Sequence, residues 1–330
     1  MAGFKVIQPG IFSLLQDAGR YGWHGIGLTT GGPMDRQAFR WANRLCGNNE
    51  SGNNESGNND SGNHTNSTAI EVTVGGLVLE AKSHSSIAVT GAEIPLTINR
   101  QPAALWQTHQ VKPGDRIELG YATQGSRGYL AVAGGFQAEA IFNSQATVPR
   151  EALGGLHREG QPLKTGDNLP CPAPDQQLPL LRVPEKLRPA NGSALLRVIL
   201  GYQQHAFTEV QKQLFFSSEY KATDSSDRMG YRLSGAQISP SIGGILSEGI
   251  CLGAIQVPAD GQPIILLRDR QTIGGYPKLG SVLSLDLDRL AQLMPGDTMR
   301  FEPISIDQAH NALLLAEQKF NAAQLETVDV

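Results

Sequence analysis

The chain has 330 residues, the length of about two ordinary domains. Hydrophobic residues make up 40% and charged residues 18%, enough apolar material for packed cores, which excludes a generally disordered chain. Lys and Arg number 27 against 31 Asp and Glu, a formal net charge of −4 with no basic block, which argues against a nucleic-acid partner.

The first residues lack a charged segment followed by an apolar one, so no signal peptide is expected. Phe4–Gln8 reads as a strand stopped by Pro9-Gly10. A Gly-rich loop follows, from Gln16-Asp17-Ala18-Gly19-Arg20 to Gly31-Gly32-Pro33, and runs into a helix with Pro33 in its first turn. Met34, Ala38, Trp41, Ala42 and Leu45 share one face at spacings of three and four, and Gly47 suits the C-terminal end. Residues 48–67 form a tandem five-residue repeat without apolar side chains, which predicts a flexible surface insert.

From Ala69 to about Leu169 the pattern is β: Ile70–Val74, Gly76–Glu80, Ser86–Thr90, Pro95–Asn99, Arg116–Leu119 and Gly128–Ala133 are predicted strands. Seven prolines between Pro162 and Pro189 make 161–194 the candidate linker. Beyond it come a strand at Leu195–Leu200, a helix around Thr208–Phe215, and strands at Ile264–Leu267, Ser281–Leu285 and Met299–Pro303. Asp286 is expected to cap a short helix, and Ile306, Ala309, Leu313, Ala316 and Phe320 mark a C-terminal amphipathic one. Gly-Gly-aromatic after an apolar strand occurs at 134–136 and again at 274–276, an echo expected of two related β-domains. The organisation predicted is therefore a β-rich domain over 1–160, a linker over 161–194 and a second β-domain over 195–330.

No run approaches the ~18 apolar residues of a membrane span, so no membrane segment is expected. Cys46, Cys171 and Cys251 are widely spaced and form no C-x-x-C, which fits reduced thiols serving as small apolar filler in a cytoplasmic protein, with no metal site. No Walker A loop, no strand-linked G-x-G-x-x-G, no H-E-x-x-H, no G-x-S-x-G and no Met-Lys-Met biotin attachment site is present.

Three polar stretches stand out in the second half. Asp224–Arg232 carries Arg228 and Arg232 four residues apart around Tyr231, an arrangement able to offer a guanidinium fork to an anion or to form turn ion pairs. Glu248 sits between small residues, where a carboxylate approaches a ligand or another backbone. Asp260-Gly261 reads as a hairpin turn. The apolar run Ile264–Leu267 after it delivers Arg268, Asp269, Arg270 and Gln271 at its end, and the Gly-rich loop to Tyr276 and Lys278 follows. Charges continuing a buried strand are costly unless paired or used on a ligand, which makes this a candidate small-anion site. In the first half, Asp17, Arg20 and Asp35 flank the Gly-rich loop, and Asp35 alone would complement a helix dipole.

Taken together, Gln16–Arg20, Gly31–Arg36, Thr90-Gly91-Ala92, Ala131–Gly135, Ser226–Leu233 and Leu246–Thr272 continuing to Gly280 resemble the biotin-dependent carboxyltransferase family, also called allophanate hydrolase subunit 2, over about 4–306. The chain departs from the family pattern at the insert and at Arg268, where a small residue is usual. The resemblance implies a mainly β fold of two packed β-barrel-like, cyclophilin-like domains with a few short helices. It implies two protein partners: the B subunit of 5-oxoprolinase, of the allophanate hydrolase subunit 1 family, and the A subunit of the same complex. The implied reaction is ATP-dependent opening of 5-oxoproline, a small anionic amide, to glutamate, with ATP and Mg shared across the complex and no biotin attached to this chain. Carboxyl transfer to urea or a related amide, and a regulatory role against a sensor-kinase inhibitor, are the alternatives within the family. For the lactam reaction, Glu248, Asp269, Lys278 and Arg270 are the expected catalytic residues. Arg228, Tyr231, Arg232, Gln256, Gln271, Tyr276, Asp17, Arg20 and Asp35 are the expected substrate-binding ones.

Overall fold

The computed structural model describes residues 2–48, 68–173, 178–189 and 194–328. The repeats at 49–67 lie outside them. Asn48, expected as the first residue of the flexible insert, is instead buried. Its Nδ2 donates to Asn43 Oδ1 and to the Val132 carbonyl, and its Oδ1 accepts from Gly134 N. The described residues are mainly β with four α-helices, and the chain divides into two units. Unit 1 comprises Met1–Gly25, Thr30–Ala190 and Gln324–Val330; unit 2 comprises Ile26–Thr29 and Asn191–Ala323.

Unit 1 is built from two antiparallel sheets. The six-stranded sheet has the order Asn168–Pro170, Gly3–Pro9, Leu77–Ala81, Arg116–Leu119, Leu96–Ile98 and Gln101–Ala103. The five-stranded sheet has the order Phe12–Gln16, Ala69–Thr73, Gln124–Val132, Ser85–Glu93 and Thr108–Val111. Alternating residues such as Phe4, Val6, Ile70, Val72, Ile87, Val89, Leu130 and Val132 supply the shared core. Leu163, Leu169 and Cys171 of the Pro-rich stretch read as a linker pack in that same core. Leu181–Arg182, also from that stretch, pairs with Glu326–Thr327 near the end of the chain.

The helix α1 (Arg36–Leu45) covers the second face of the five-stranded sheet, which is why the strands Ser85–Glu93 and Gln124–Val132 read as continuous buried runs rather than alternating ones. Thr90 Oγ1 donates to the Ala38 carbonyl at 2.6 Å, and the Phe39 and Tyr129 rings meet edge to face. Asp35 caps α1 by accepting from Ala38 N, so the helix begins after Pro33 rather than at it, and Asp35 precedes the first turn. Gly47 follows the end of α1 at φ 66°, as expected of a left-handed terminating residue. All three cysteines are free. Cys46 and Cys171 are buried, burial pushing the Cys171 thiol up to about 11, whereas Cys251 is exposed and not the apolar filler expected.

Unit 2 is a closed barrel of seven strands: Ala194–Leu200, Lys278–Val282, Ala254–Gln256, Ile264–Leu266, Gly230–Ser234, Tyr220–Ala222 and Thr298–Pro303. An odd ring cannot close with every pair antiparallel. The one parallel pair is Ala194–Leu200 against Thr298–Pro303. Strand alternation sorts side chains into two rows. Tyr231, Ile265 and Ile255 are paired and almost fully buried, on the barrel interior. Arg232, Ile264, Gln256 and Lys278 form the next row, on the outer face. Part of that outer face is covered by the short ladder Glu248–Gly249 against Ile273–Gly274, and Ile250 packs there with Ala254, Ile264 and Leu266. The helix α2 (Glu209–Ser217) carries Phe215, stacked on Phe301 at 4.5 Å; α3 (Ser284–Gln292) and α4 (Ile306–Ala322) complete the unit. Asp286 does not cap α3. It lies in the first turn and takes a fork from Arg197.

Gly280 packs against the neighbouring strand Ala194–Leu200 with no room for a side chain: a Cβ there would lie 2.3 Å from the Ile199 carbonyl oxygen. Gly280→Ala is expected to destabilise the chain by about 1–3 kcal/mol, read as a lower urea midpoint at unchanged slope.

Candidate functional site

The strands Gly230–Ser234 and Ile264–Leu266 are neighbours, and their pairing continues past their ends: Leu267 N donates to the Met229 carbonyl and Asp269 N to the Arg228 carbonyl. This register places Arg228 and Asp269 side by side. Arg228 Nε donates to Asp269 Oδ2 at 2.9 Å and Nη2 to Oδ1 at 3.0 Å, both side chains being buried. The two residues expected as anion clamp and base are thus engaged with each other, because two charges taken out of water must neutralise one another. Arg270 is also buried and donates to the carbonyls of Ile250 and Leu267.

A second cluster forms on the outer row of the barrel. Lys278 and Glu248 make an ion pair, and Lys278 Nζ also donates to the Gly249 carbonyl at 3.3 Å. Gln203 holds both ends: its Nε2 donates to Glu248 Oε1 at 2.8 Å, and its Oε1 accepts from Lys278 N at 2.9 Å. The Tyr202 ring lies 5.8 Å from the Lys278 ammonium, a cation–π arrangement. Lys278, then the Tyr202 hydroxyl, hold the Glu248 carboxyl below the usual carboxylate range, and the same hydrogen bond pushes the Tyr202 phenol up. Tyr202 and Gln203 belong to no motif, and nothing in the sequence singles them out as site residues. Their only mark is position: they follow Gly201 directly at the end of a barrel strand.

Gln256 is paired in register with Lys278 and is 1% exposed, and its Nε2 has no partner among the described residues. A Cβ on Gly274 would stand 2.8 Å from that nitrogen, so glycine there leaves the amide its room. Arg232 lies on the same row two strands away, about 10 Å at ~4.8 Å per strand, and is exposed. Gln271 is half-buried and Tyr276 exposed, on the loop that joins the two clusters. Tyr231, expected beside Arg232, faces the barrel interior, where its hydroxyl donates to the Leu293 carbonyl at 3.0 Å. The structure therefore brings Glu248, Gln256 and Lys278 together, with Tyr202 and Gln203. Arg228 and Asp269 lie at the other end of the same short strands, and Arg270, donating to the Ile250 carbonyl beside the Gly249 carbonyl that Lys278 uses, stands between the two clusters.

The three residues expected from the first half lie in unit 1 and hold its loops. Asp17 accepts from Gly19 N, the Ser144 hydroxyl and Gln145 N. Arg20 donates to the carbonyls of Ile141 and Ala146. Asp35 caps α1, and its own N–H donates to the Tyr129 hydroxyl. Among the described residues no group of three or more His, Cys, Asp or Glu could hold a metal, and no helix is long and apolar enough to cross a membrane.

A family model for the carboxyltransferase domain, subdomain A and B, matches residues 53–303. The chain is 35% identical over 296 residues to the C subunit of 5-oxoprolinase from Haemophilus influenzae, covering 89% of each chain. It is 32% identical over 311 residues to the C subunit of 5-oxoprolinase from Escherichia coli, covering 93% of each. Among solved structures it is similar to Kluyveromyces lactis urea carboxylase, at TM-score 0.87 and 28% identity, covering 100% of this chain and 30% of that one.

The paired charges set two expected outcomes. Asp269→Asn leaves Arg228 buried without its counter-charge and is expected to cost about 3–5 kcal/mol, measured by chemical unfolding. Glu248 has a folded pKa below its unfolded value of about 4.3, so its pairing stabilises the chain above that value and is lost as pH falls through the folded one. The wild type's advantage over Glu248→Gln in urea midpoint is therefore expected at pH 7 and to shrink at pH 3.

Proposed function

The chain belongs to the family of carboxyltransferase domains built from subdomains A and B, and from that premise we propose that it is one component of a cytoplasmic, ATP-dependent 5-oxoprolinase that opens 5-oxoproline to L-glutamate together with the A and B subunits of that complex. The observation that carries this reading is the near-complete mutual coverage with two proteins named as the C subunit of 5-oxoprolinase. A lactam carbonyl is a poor electrophile, and ATP supplies the phosphoryl group that makes its oxygen a leaving group. This chain's part is to bind and orient the amide. The unpartnered Gln256 Nε2 donates to the lactam carbonyl oxygen. Glu248, kept ionised by Lys278, accepts from the lactam N–H. Lys278 gives the position of the carbonyl a positive charge fixed in advance by Gln203 and Gly249. Arg232, Gln271 and Tyr276 form the rim.

A second reading, carboxyl transfer to urea or a related amide, is favoured by the similarity to urea carboxylase over the whole of this chain. It uses the same amide-binding residues, with carboxybiotin brought by another chain.

The test is reconstitution. With the A and B subunits and 5-oxoproline present, release of ADP and glutamate is expected to require this chain, and Gln256→Met is expected to lower kcat/KM about tenfold or more. Equal turnover without the chain overturns the reading. Carboxylation of urea, dependent on carboxybiotin and not on 5-oxoproline, selects the second.

A further inference from the structure

The Gln256 amide is closed off. Its Nε2 is shut away from solvent and has no partner among the described residues. Gly274 lies over it, so near that a Cβ there would stand 2.8 Å from the nitrogen. A buried donor without an acceptor costs free energy, which a ligand carbonyl would return. A carbonyl that reaches it must first displace what covers it, and Gly274 belongs to the ladder of Glu248–Gly249 against Ile273–Gly274.

That ladder is lightly seated. It has two residue pairs, and every residue of 241–249 and 271–276 is exposed or half-buried. Leu246 and Ile273 are 93% and 61% exposed, so their side chains face water and do not press the ladder onto the barrel. Segments with few buried apolar contacts open at little cost, independently of the fold as a whole. What fastens the ladder is polar and gathers on one side chain. Glu248 is bound by Lys278, by Gln203 at 2.8 Å and by the Tyr202 hydroxyl, and Lys278 also donates to the Gly249 carbonyl. All three partners lie outside the ladder, on the barrel strand Lys278–Val282 and on Tyr202–Ala206. At the far end Ile250 is buried with Ala254 and Leu266, and its carbonyl accepts from Arg270 at 3.1 Å, which fixes a hinge. We propose that the ladder is a lid over Gln256, latched by the Glu248 carboxylate, and that it lifts to admit the carbonyl of a small amide. Release and recapture of one carboxylate then open and close the site. Naming the amide as 5-oxoproline rests on the function proposed above; the lid does not.

The test measures access to position 256 in the full chain by itself, without ATP or the rest of the complex. Gln256→Cys is made in a Cys251→Ser background, because Cys251 is exposed, and is labelled with iodoacetamide; the buried Cys46 and Cys171 report unfolding of unit 1 in the same sample. Labelling through the lid is expected to be unchanged by low urea, since little surface opens, whereas labelling through unfolding climbs steeply with urea. Adding Glu248→Gln is expected to raise the urea-independent rate about tenfold or more, and Tyr202→Phe to raise it less. If Gln256→Cys does not fold, limited proteolysis within 241–249 gives the same comparison of latch variants with wild type. The second arm is protection: in wild type, saturating 5-oxoproline or 2-pyrrolidinone (the same lactam without the carboxylate) is expected to slow that cleavage about tenfold or more, and Gln256→Met to lose the effect. The proposal is overturned if position 256 is labelled only in step with unfolding, if neither latch variant opens faster than its parent, or if neither lactam protects. Protection by 2-pyrrolidinone alone supports the lid and counts against the function proposed above.

Discussion

The Arg228–Asp269 pair is the constraint on which the charged end of the barrel depends. Its two hydrogen bonds tie the segment before one strand to the segment after its neighbour, between which the chain runs through two further strands, Glu248–Gly249 and Ala254–Gln256. Asp269 being fixed, Arg268 and Arg270 are carried to defined places on either side of it. Removing one partner leaves the other as an uncompensated ion, so the pair is held by the cost of its absence as much as by its own attraction.

Glu248 and Lys278 show the opposite use of an ion pair. Here neither partner has exhausted its hydrogen-bonding capacity on the other. Gln203, Tyr202 and the Gly249 carbonyl take up part of the remainder. The carboxylate is half-buried, so a ligand can reach it. One pair closes off its charges and serves architecture; the other keeps them oriented and addressable beside the idle amide of Gln256.

Much of this was legible in the sequence. The barrel strands at Leu195–Leu200, Ile264–Leu267 and Met299–Pro303, and the helices begun at Thr208 and Ser305, fall within a residue or two of where apolar periodicity puts them. The β-rich character followed from the succession of short predicted strands between Ala69 and Leu169. The strand Phe12–Gln16 was hidden because it is buried on both sides and shows no alternation. Thr108–Val111 was hidden because Val111 is its one apolar residue. The charges after Leu267 announced themselves, but their pairing is set by a neighbour 41 residues away that only strand register can supply. Tyr231 was misjudged for a reason the sequence contained: in a strand, adjacent residues face opposite ways, so it could not stand with Arg232. Asp286 looked like a helix cap because caps are local, whereas its true partner, Arg197, lies on the strand Ala194–Leu200.

The single parallel seam has a bearing on how the molecule comes into being. The strand Ala194–Leu200 leaves the ribosome before either of its two neighbours, Lys278–Val282 and Thr298–Pro303, has been made. At ~5–20 residues per second, about 80 residues of further synthesis keep it waiting several seconds with both edges open. Its sequence, Ala-Leu-Leu-Arg-Val-Ile-Leu, is apolar but carries one arginine at its centre. A charge there is a known guard against premature strand pairing. The same Arg197 that later grips Asp286 thus protects the nascent chain during the interval before the ring can shut.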